Sequence, residues 1–395
     1  MIKENILFVF KDRKLITKND EFWHEKFKHK YYVETLFIND HLNFTNDKII
    51  KLINNIIEKN NIKTILFEGD HAHIIDIRFI RNISNKVKKG IFLGDDMVWH
   101  LVNLISAQEC DFVLTSEPIS VLKFKELGLE TFYVPIEANG KIFKDHKLKK
   151  IFDVLHFGRQ KTIRKDYINF LEKNGVRVKS VSPYDEESNT MEKLANLISQ
   201  SKIIINFAQS ANGNRHFNHL KIFESFYQTK GRIQIAGISN VLCVSEYSAS
   251  SELLYTNNEV PFFKSKEECL EKIKFYLSNE NELKKATEKF HLKNLEFEDS
   301  KYIIQIKKFI DSIKIKDKKN FKTPIWYKYL FLKQNFRLRF KNNHLSSFFG
   351  ELFSIISSMK KYNFLDYMKE VLMALIIFLR YIPFLLIKKI ISIFK

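Results

Sequence analysis

A cluster of cations occupies residues 158–164, between an apolar segment expected to be a strand and a segment with helical spacing. Gly158 permits close approach to the backbone, and Arg159, Lys161 and Arg164 place positive charge beside the expected helix start. Because a helix N-terminus itself attracts anions, this loop is a candidate pyrophosphate site. The alternative is an ordinary basic, solvated turn in a lysine-rich chain.

A second polar loop follows an apolar strand that is expected to end at Asn206. Ligands of open α/β sheets bind beyond the carboxyl ends of the strands, which makes Asn206 a candidate binding residue. Residues 220–227 are expected to form a helix that contains Lys221 and Glu224. On spacing alone, Glu224 is as consistent with a solvated helix carboxylate as with a ligand of a bound molecule.

Carboxylates and histidines in the first third of the chain are candidate bases for a reacting hydroxyl group. Asp95 and Asp96 follow an expected strand, and His71 lies in an earlier loop of the same kind. The alternative for the aspartate pair is a helix N-cap. Asp70, His71 and His73 resemble a metal cluster only superficially, because no clear further ligand accompanies them. The sequence therefore predicts neither a metal nor a cofactor.

The elements that must position these residues form two tandem α/β units. Short apolar runs alternate with helical spacing, which predicts mostly parallel sheets covered by helices. Turn residues at 135–145 interrupt the pattern, so we expect a first domain at residues 1–140 and a second at 141–313. In the second unit, residues 232–235 and 241–244 are expected to be strands.

The third segment, residues 314–395, is expected to be a basic, amphipathic helical tail. Of the formal net charge of +19, a net +10 lies in residues 307–341, where twelve Lys or Arg face two Asp. The later apolar run 371–387 is interrupted by Arg380 and Pro383. A spanning helix needs about 20 apolar residues, so a helix in the plane of an anionic membrane surface fits better. The alternatives are a helical layer on the protein's own core and an oligomer contact.

The composition also limits where the protein works and what it binds. The first ten residues are too short and mixed for a signal peptide, and three widely spaced cysteines suit reduced thiols in the cytoplasm. No C-x-x-C pair is present, which argues against a zinc site. Nucleic acid is an unexpected partner, because no stacking-aromatic motif accompanies the positive charge.

Residues 220–231 have the sequence LKIFESFYQTKG. This block resembles the Arg-x-Phe-Glu…Gly signature of the CgeB-like branch of the group 1 glycosyltransferases. Other similar blocks, in the family's order, are residues 94–96, 110–116, 128, 135–143, 154–164, 258–263 and 265–277. The resemblance covers roughly residues 90–290.

The resemblance implies the GT-B fold, in which two Rossmann-like domains enclose a cleft. It implies that Glu224 binds the donor's ribose, that Lys221 contacts the donor diphosphate and that Asn206 lines the donor pocket. Two departures stand out. Lys221 replaces the family's usual Arg, which loses bidentate geometry, and His216 stands where many group 1 enzymes carry a second Glu.

These observations predict a glycosyltransferase that moves a sugar from a nucleoside-diphosphate donor to a lipid-linked or cell-surface glycan acceptor. It is expected to be cytoplasmic and peripheral on the inner face of the cell membrane. Stereochemical retention is implied by the resemblance. The alternatives are a polyol-phosphate transferase of the teichoic-acid type on a similar scaffold, or a non-catalytic membrane adaptor with a degenerate transferase fold.

Overall fold

The computed structural model of the chain contains two parallel β-sheets. It describes residues 3–10, 26–69, 77–94, 96–135, 139–160, 162–182, 184–209, 226–316, 323–341, 344, 346–347, 349–351, 353, 364–379 and 383.

The first sheet has the strand order β2-β1-β3-β4-β5-β6, and its described pairs are all parallel. Its strands are β1 (Glu4–Phe10), β2 (Tyr31–Phe37), β3 (Thr64–Glu68), β4 (Lys88–Leu93), β5 (Phe112–Thr115) and β6 (Glu130–Tyr133). Its helices are α1 (Asn46–Lys59), α2 (Ile77–Arg81), α3 (Asp96–Ala107) and α4 (Pro118–Glu126). The central strands are continuous apolar runs because helices cover both faces of such a sheet.

The second sheet has the order β11-β10-β9-β7-β8 and is also parallel. Its strands are β7 (Phe152–Phe157), β8 (Val178–Val181), β9 (Ser201–Asn206), β10 (Leu242–Glu246) and β11 (Phe262–Phe263). Its helices are α5 (Thr162–Lys173), α6 (Met191–Ser199), α7 (Gly231–Ile238), α8 (Ala249–Glu252), α9 (Lys266–Ser278) and α10 (Glu280–Asn294). The chain moves outward from β7 in both directions, so the topological switch point lies between β7 and β9.

After the second sheet, the chain returns to the first one. Helix α11 (Asp299–Ser312) places Phe309 against Phe132 of β6, with ring centroids 5.1 Å apart. Lys88 Nζ donates to the carbonyl oxygen of Ile310 at 2.8 Å. The last helix of the second unit therefore packs on the first sheet, so the two units are joined by packing as well as by the chain.

The segment that follows α11 continues over the first domain. Helix α12 (Ile325–Lys341) packs Tyr327 and Leu330 on the apolar side of α3, and the hydroxyl of Tyr327 lies 2.7 Å from that of Ser106. Helix α13 (Phe364–Leu379) packs in turn on α12. The sequence analysis gave a helical layer on the protein's own core as an alternative to a membrane-surface helix. For α12, that packed layer is observed.

One buried side chain holds α12 in place. Arg339 is fully buried and donates to the carbonyl oxygens of Leu42 and Phe44, both at 2.5 Å. It also donates to the side-chain oxygen of Asn46 at 2.8 Å and lies 3.6 Å from the buried carboxylate of Glu351. The guanidinium supplies five fixed N–H donors, which is why Arg suits a site with several acceptors.

The structure confirms the alternation of strands and helices and corrects two details. Residues 232–235 were expected to form a strand but lie inside α7. Tyr227 forms an isolated antiparallel bridge with Gln209 and does not end a helix. Among the helices that the structure describes, none has the length and apolar character needed to cross a membrane.

The clamp at Arg339 predicts a large difference between two neighbouring arginines. Arg339→Met leaves several buried acceptors and the Glu351 carboxylate without their cation, so we expect a loss of about 3–5 kcal/mol in the free energy of unfolding. Arg337→Met removes an exposed cation from the same helix and is expected to cost less than about 0.5 kcal/mol. Urea unfolding of both variants measures this, and equal losses would contradict the clamp.

Candidate functional site

The predicted cations of the second domain gather at its switch point. Gly158 directly follows β7, and Asn206 ends β9, so both lie at the carboxyl ends of the strands that flank this point. This is the position at which open α/β sheets bind ligands. The structure therefore brings together Gly158, Arg159, Arg164 and Asn206, and their role in binding a donor stays a prediction.

Gly158 allows the close approach of an arginine. Its φ of +131° is a backbone conformation that other residues rarely adopt. A β-carbon at this position would lie 2.9 Å from an Nη atom of Arg232. The Arg232 guanidinium also lies over the Phe157 ring, 6.0 Å from its centroid. Gly158 thus lets the guanidinium reach the end of β7.

Arg232 is one of two functional candidates that the sequence analysis missed. It is the second residue of α7, and its Nη1 donates to the side-chain oxygen of Asn206 at 3.0 Å. The Asn206 amide nitrogen donates in turn to the Ser245 hydroxyl at 2.8 Å. Asn206 therefore orients Arg232 beside the positive end of a helix, which favours an anion there.

Arg164 supplies a second cation, and it is buried. Its two terminal nitrogens donate to the carbonyl oxygens of Arg159 at 3.1 Å and Gln209 at 3.0 Å. Burial first and then the charge of Arg232 lower its pKa to about 10, while the carboxylate of Glu246 opposes this shift. Arg164 is therefore still charged at neutral pH, and its positive charge is partly desolvated.

Glu246 is the acidic group that acts on Arg164. It ends β10 and accepts a hydrogen bond from the backbone N–H of Gln209 at 2.8 Å. Burial raises the pKa of Glu246, and hydrogen bonds from the backbone at Gln209 and Ala208, together with Arg164, oppose that rise. Two guanidiniums and one carboxylate leave this described cluster with a net positive charge, to which a phosphate group is complementary.

His156 lies beneath the two arginines and is neutral. It is fully buried on β7, its Nδ1 lies 2.9 Å from the Ser180 hydroxyl, and Gln160 donates to that same hydroxyl at 2.8 Å. Burial first, and then Arg232 and Arg164, lower the pKa of His156 to about 3. Its Nε2 has no hydrogen-bond partner among the described residues.

The first domain meets this region across its carboxyl edge. The carboxylate of Glu117, just before α4, accepts from the backbone N–H of Thr229 at 3.1 Å. The backbone N–H of Ile119 donates to the Ser250 hydroxyl of α8 at 3.1 Å, and Gln234 of α7 donates to the Tyr133 hydroxyl, also at 3.1 Å. Helix α7 therefore borders both the cation cluster and the first domain.

Asp96 is fully buried at the start of α3, and both of its carboxylate oxygens are engaged within that helix. One oxygen lies 2.8 Å from His100 Nδ1, and the other accepts from the Asn103 amide at 2.9 Å. A carboxylate on one ring nitrogen fixes the tautomer of the imidazole. His100 is a candidate that the sequence analysis missed, although its i+4 spacing from Asp96 was a visible signal.

The remaining predicted site residues lie outside the described residues: Asp95, His71, Lys221 and Glu224. Their proposed roles stay predictions. Among the described residues, no group of three or more His, Cys, Asp or Glu side chains is arranged to hold a metal ion.

Known proteins share this architecture. Residues 164–296 match the model of a family described as glycosyl transferase-like. A sucrose-phosphate synthase from Thermosynechococcus elongatus superimposes with a TM-score of 0.53 at 10% identity, covering 78% of this chain and 100% of that one. The fold is GT-B. This confirms the fold class expected from the sequence, with a helical C-terminal region in addition.

Two further solved structures have the same GT-B architecture. A glycosyltransferase from Rickettsia africae matches with a TM-score of 0.53 at 12% identity, covering 79% of this chain and 100% of that one. HepE from Anabaena, solved in complex with UDP-glucose, matches with a TM-score of 0.51 at 11% identity. The match covers 78% of this chain and 100% of HepE. Among curated proteins, no sequence matches this chain. The second domain is thus glycosyl transferase-like, and the CgeB-like branch stays a prediction.

The buried, neutral His156 predicts a loss of stability in mild acid. In the unfolded chain a His has a pKa near 6.5, whereas the native pKa is about 3, so below pH 6.5 the unfolded state binds the extra proton. The free energy of unfolding should therefore fall by about 2 kcal/mol from pH 7 to pH 5 on account of this group. Denaturant unfolding at several pH values measures the slope.

His156→Asn, which cannot titrate, should reduce that slope. His29→Asn, at an exposed position, serves as the control and should leave the slope unchanged. The measured quantity is the pH dependence of the free energy of unfolding. The free energy at a single pH is not used, because replacing His156 by Asn also changes packing. An unchanged slope in His156→Asn would show that the histidine titrates normally.

Proposed function

We propose that the protein is a glycosyltransferase that takes its sugar from a nucleoside-diphosphate donor. The observation that carries the proposal is the pair Arg164 and Arg232, which share a partly buried site at the switch point of the second sheet. The match of residues 164–296 to a glycosyl transferase-like family supports it, because the match begins at Arg164 and includes Arg232.

The chemistry of sugar transfer explains what these cations do. When the bond from the sugar to the diphosphate breaks, positive charge develops on the sugar and negative charge on the leaving diphosphate. Fixed guanidiniums and a helix N-terminus stabilise that negative charge without reorganisation. In this proposal Arg164, Arg232 and the start of α7 hold the diphosphate, and their charge takes the place of a metal ion.

The resemblance described above adds two residues to the donor site. Glu224 is proposed to bind the ribose of the donor, and Lys221 to contact its diphosphate. Both lie between Gln209 and Tyr227 in the chain, and the bridge between these two residues closes that segment beside Arg164 and Glu246. The placement of its two ends supports a role for this segment in the donor site.

The acceptor side is proposed to lie in the first domain. His71, Asp95 and the pair formed by Asp96 and His100 are the candidates for handling the proton of the acceptor hydroxyl. Because both oxygens of Asp96 are already bonded, Asp96 would act by orienting His100. The proposed acceptor is a lipid-linked or cell-surface glycan at the inner face of the membrane, with retention at the sugar carbon.

The first test is the binding of UDP, chosen because HepE was solved with UDP-glucose. Arg164→Met and Arg232→Met each remove a charge-assisted contact to phosphate, so UDP affinity should fall about 10- to 100-fold. Lys165→Met is the matched control, since it removes an exposed cation next to Arg164. Isothermal titration calorimetry gives the affinities, and circular dichroism checks folding.

If folded Arg164→Met and Arg232→Met bound UDP as the control does, the donor site would be misplaced. Where UDP itself does not bind, a thermal-shift screen of other nucleoside diphosphates identifies the base, since a ligand at 100 times its Kd stabilises by about 2.7 kcal/mol.

The identity of the released nucleotide separates the proposal from its alternatives. A sugar donor releases a nucleoside diphosphate, whereas a polyol-phosphate donor of the teichoic-acid type releases CMP. A protein that binds no nucleotide and releases neither product would be an adaptor on a transferase scaffold.

A further inference from the structure

Helix α13 exposes an apolar face to solvent. Five of its side chains are 37–59% exposed, and they recur at the i, i+4, i+7, i+8 and i+11 positions of one helix face. They are Met368, Leu372, Leu375, Ile376 and Leu379. A 16-residue helix is about 24 Å long, so the stripe extends over most of this length. Contiguous exposed apolar surface of this kind marks an interaction site.

The opposite face of α13 is already occupied. Ala374 and Ile377 are fully buried and pack against Leu332 and Phe336 of α12. Helix α12 is in turn clamped to the first domain through Arg339. The exposed face is therefore held in a fixed orientation on the first domain.

The charge around this helix indicates the partner of this face. The sequence from residue 360 to 395 contains seven Lys or Arg against Asp366 and Glu370, a net charge of +5. Lys369 is exposed on α13 itself. A second copy of this segment would bring two such positive charges together, whereas anionic lipid headgroups complement them.

We propose that the apolar face of α13 lies in the interfacial region of a bilayer that contains anionic lipids, and that it fixes the first domain on the membrane. The helix lies parallel to the surface, with the leucines and isoleucine among the acyl chains and Lys369 among the headgroups. The inference extends the proposed function, because it places the acceptor domain at the surface from which a lipid-linked acceptor is taken.

The test is co-sedimentation of the full-length protein with vesicles of phosphatidylcholine containing 30% phosphatidylglycerol. We expect the wild type to bind vesicles of phosphatidylcholine alone at least 10-fold more weakly than it binds these anionic vesicles. The variant Leu372→Glu/Ile376→Glu/Leu379→Glu should lose at least 10-fold in binding to the anionic vesicles. The matched control Leu101→Glu/Leu122→Glu/Leu253→Glu changes three leucines exposed elsewhere and should bind as the wild type does.

Three results would overturn the proposal. The first is equal vesicle binding by the α13 variant and the control variant. The second is equal binding of the wild type to neutral and anionic vesicles. The third is a wild type that binds no vesicles but is a dimer, which the α13 variant converts to a monomer. UDP affinity is measured on the same proteins. Helix α13 is not part of the proposed donor site. A variant that loses vesicle binding but keeps its UDP affinity therefore tests the membrane proposal alone, whereas a loss of UDP affinity is evidence about the donor site.

Discussion

The central constraint on the second domain is the placement of two positive charges, the guanidiniums of Arg164 and Arg232, in one partly buried site. Burial and the neighbouring guanidinium both lower the pKa of Arg164, because each of them disfavours its charged form. One carboxylate, Glu246, offsets only part of the charge. The surrounding polar groups are arranged to direct the two cations, through the carbonyl oxygen of Gln209 and the side chain of Asn206. In the proposed function, the diphosphate of the donor balances the remaining positive charge of these described residues.

The geometry of the parallel sheet makes this arrangement possible. Strands β7 and β9 are neighbours although β8 comes between them in the chain, so their carboxyl ends flank the topological switch point of the sheet. Gly158 leaves room for the Arg232 guanidinium at the end of β7. Arg232 itself stands at the start of α7. The same helix contacts Tyr133 of the first domain through Gln234, so the helix that carries Arg232 is also attached to that domain.

The fold was largely predictable from the sequence, because buried parallel strands are continuous apolar runs and stand out clearly. Edge strand β2 was missed, since its residues alternate between buried and exposed and include Glu34. Within the site, Gly158, Arg164 and Asn206 followed from the rule for strand ends. Arg232 did not, because the apolar residues after it, Ile233 and Ile235, were interpreted as a strand. Asn240, which adopts a left-handed conformation just beyond α7, was the available signal for a helix end.

The packing of α12 on α3 also has a consequence for biosynthesis. Tyr327 and its hydrogen-bond partner Ser106 are 221 residues apart in the chain. At roughly 5–20 residues per second, a ribosome needs about 10–45 s to make the intervening residues. During that interval, the apolar side of α3 formed by Trp99, Val102 and Ile105 has no α12 to cover it, while all strands of the second sheet emerge. The nascent first domain thus presents a temporary hydrophobic surface, which a chaperone can shield until translation passes α12.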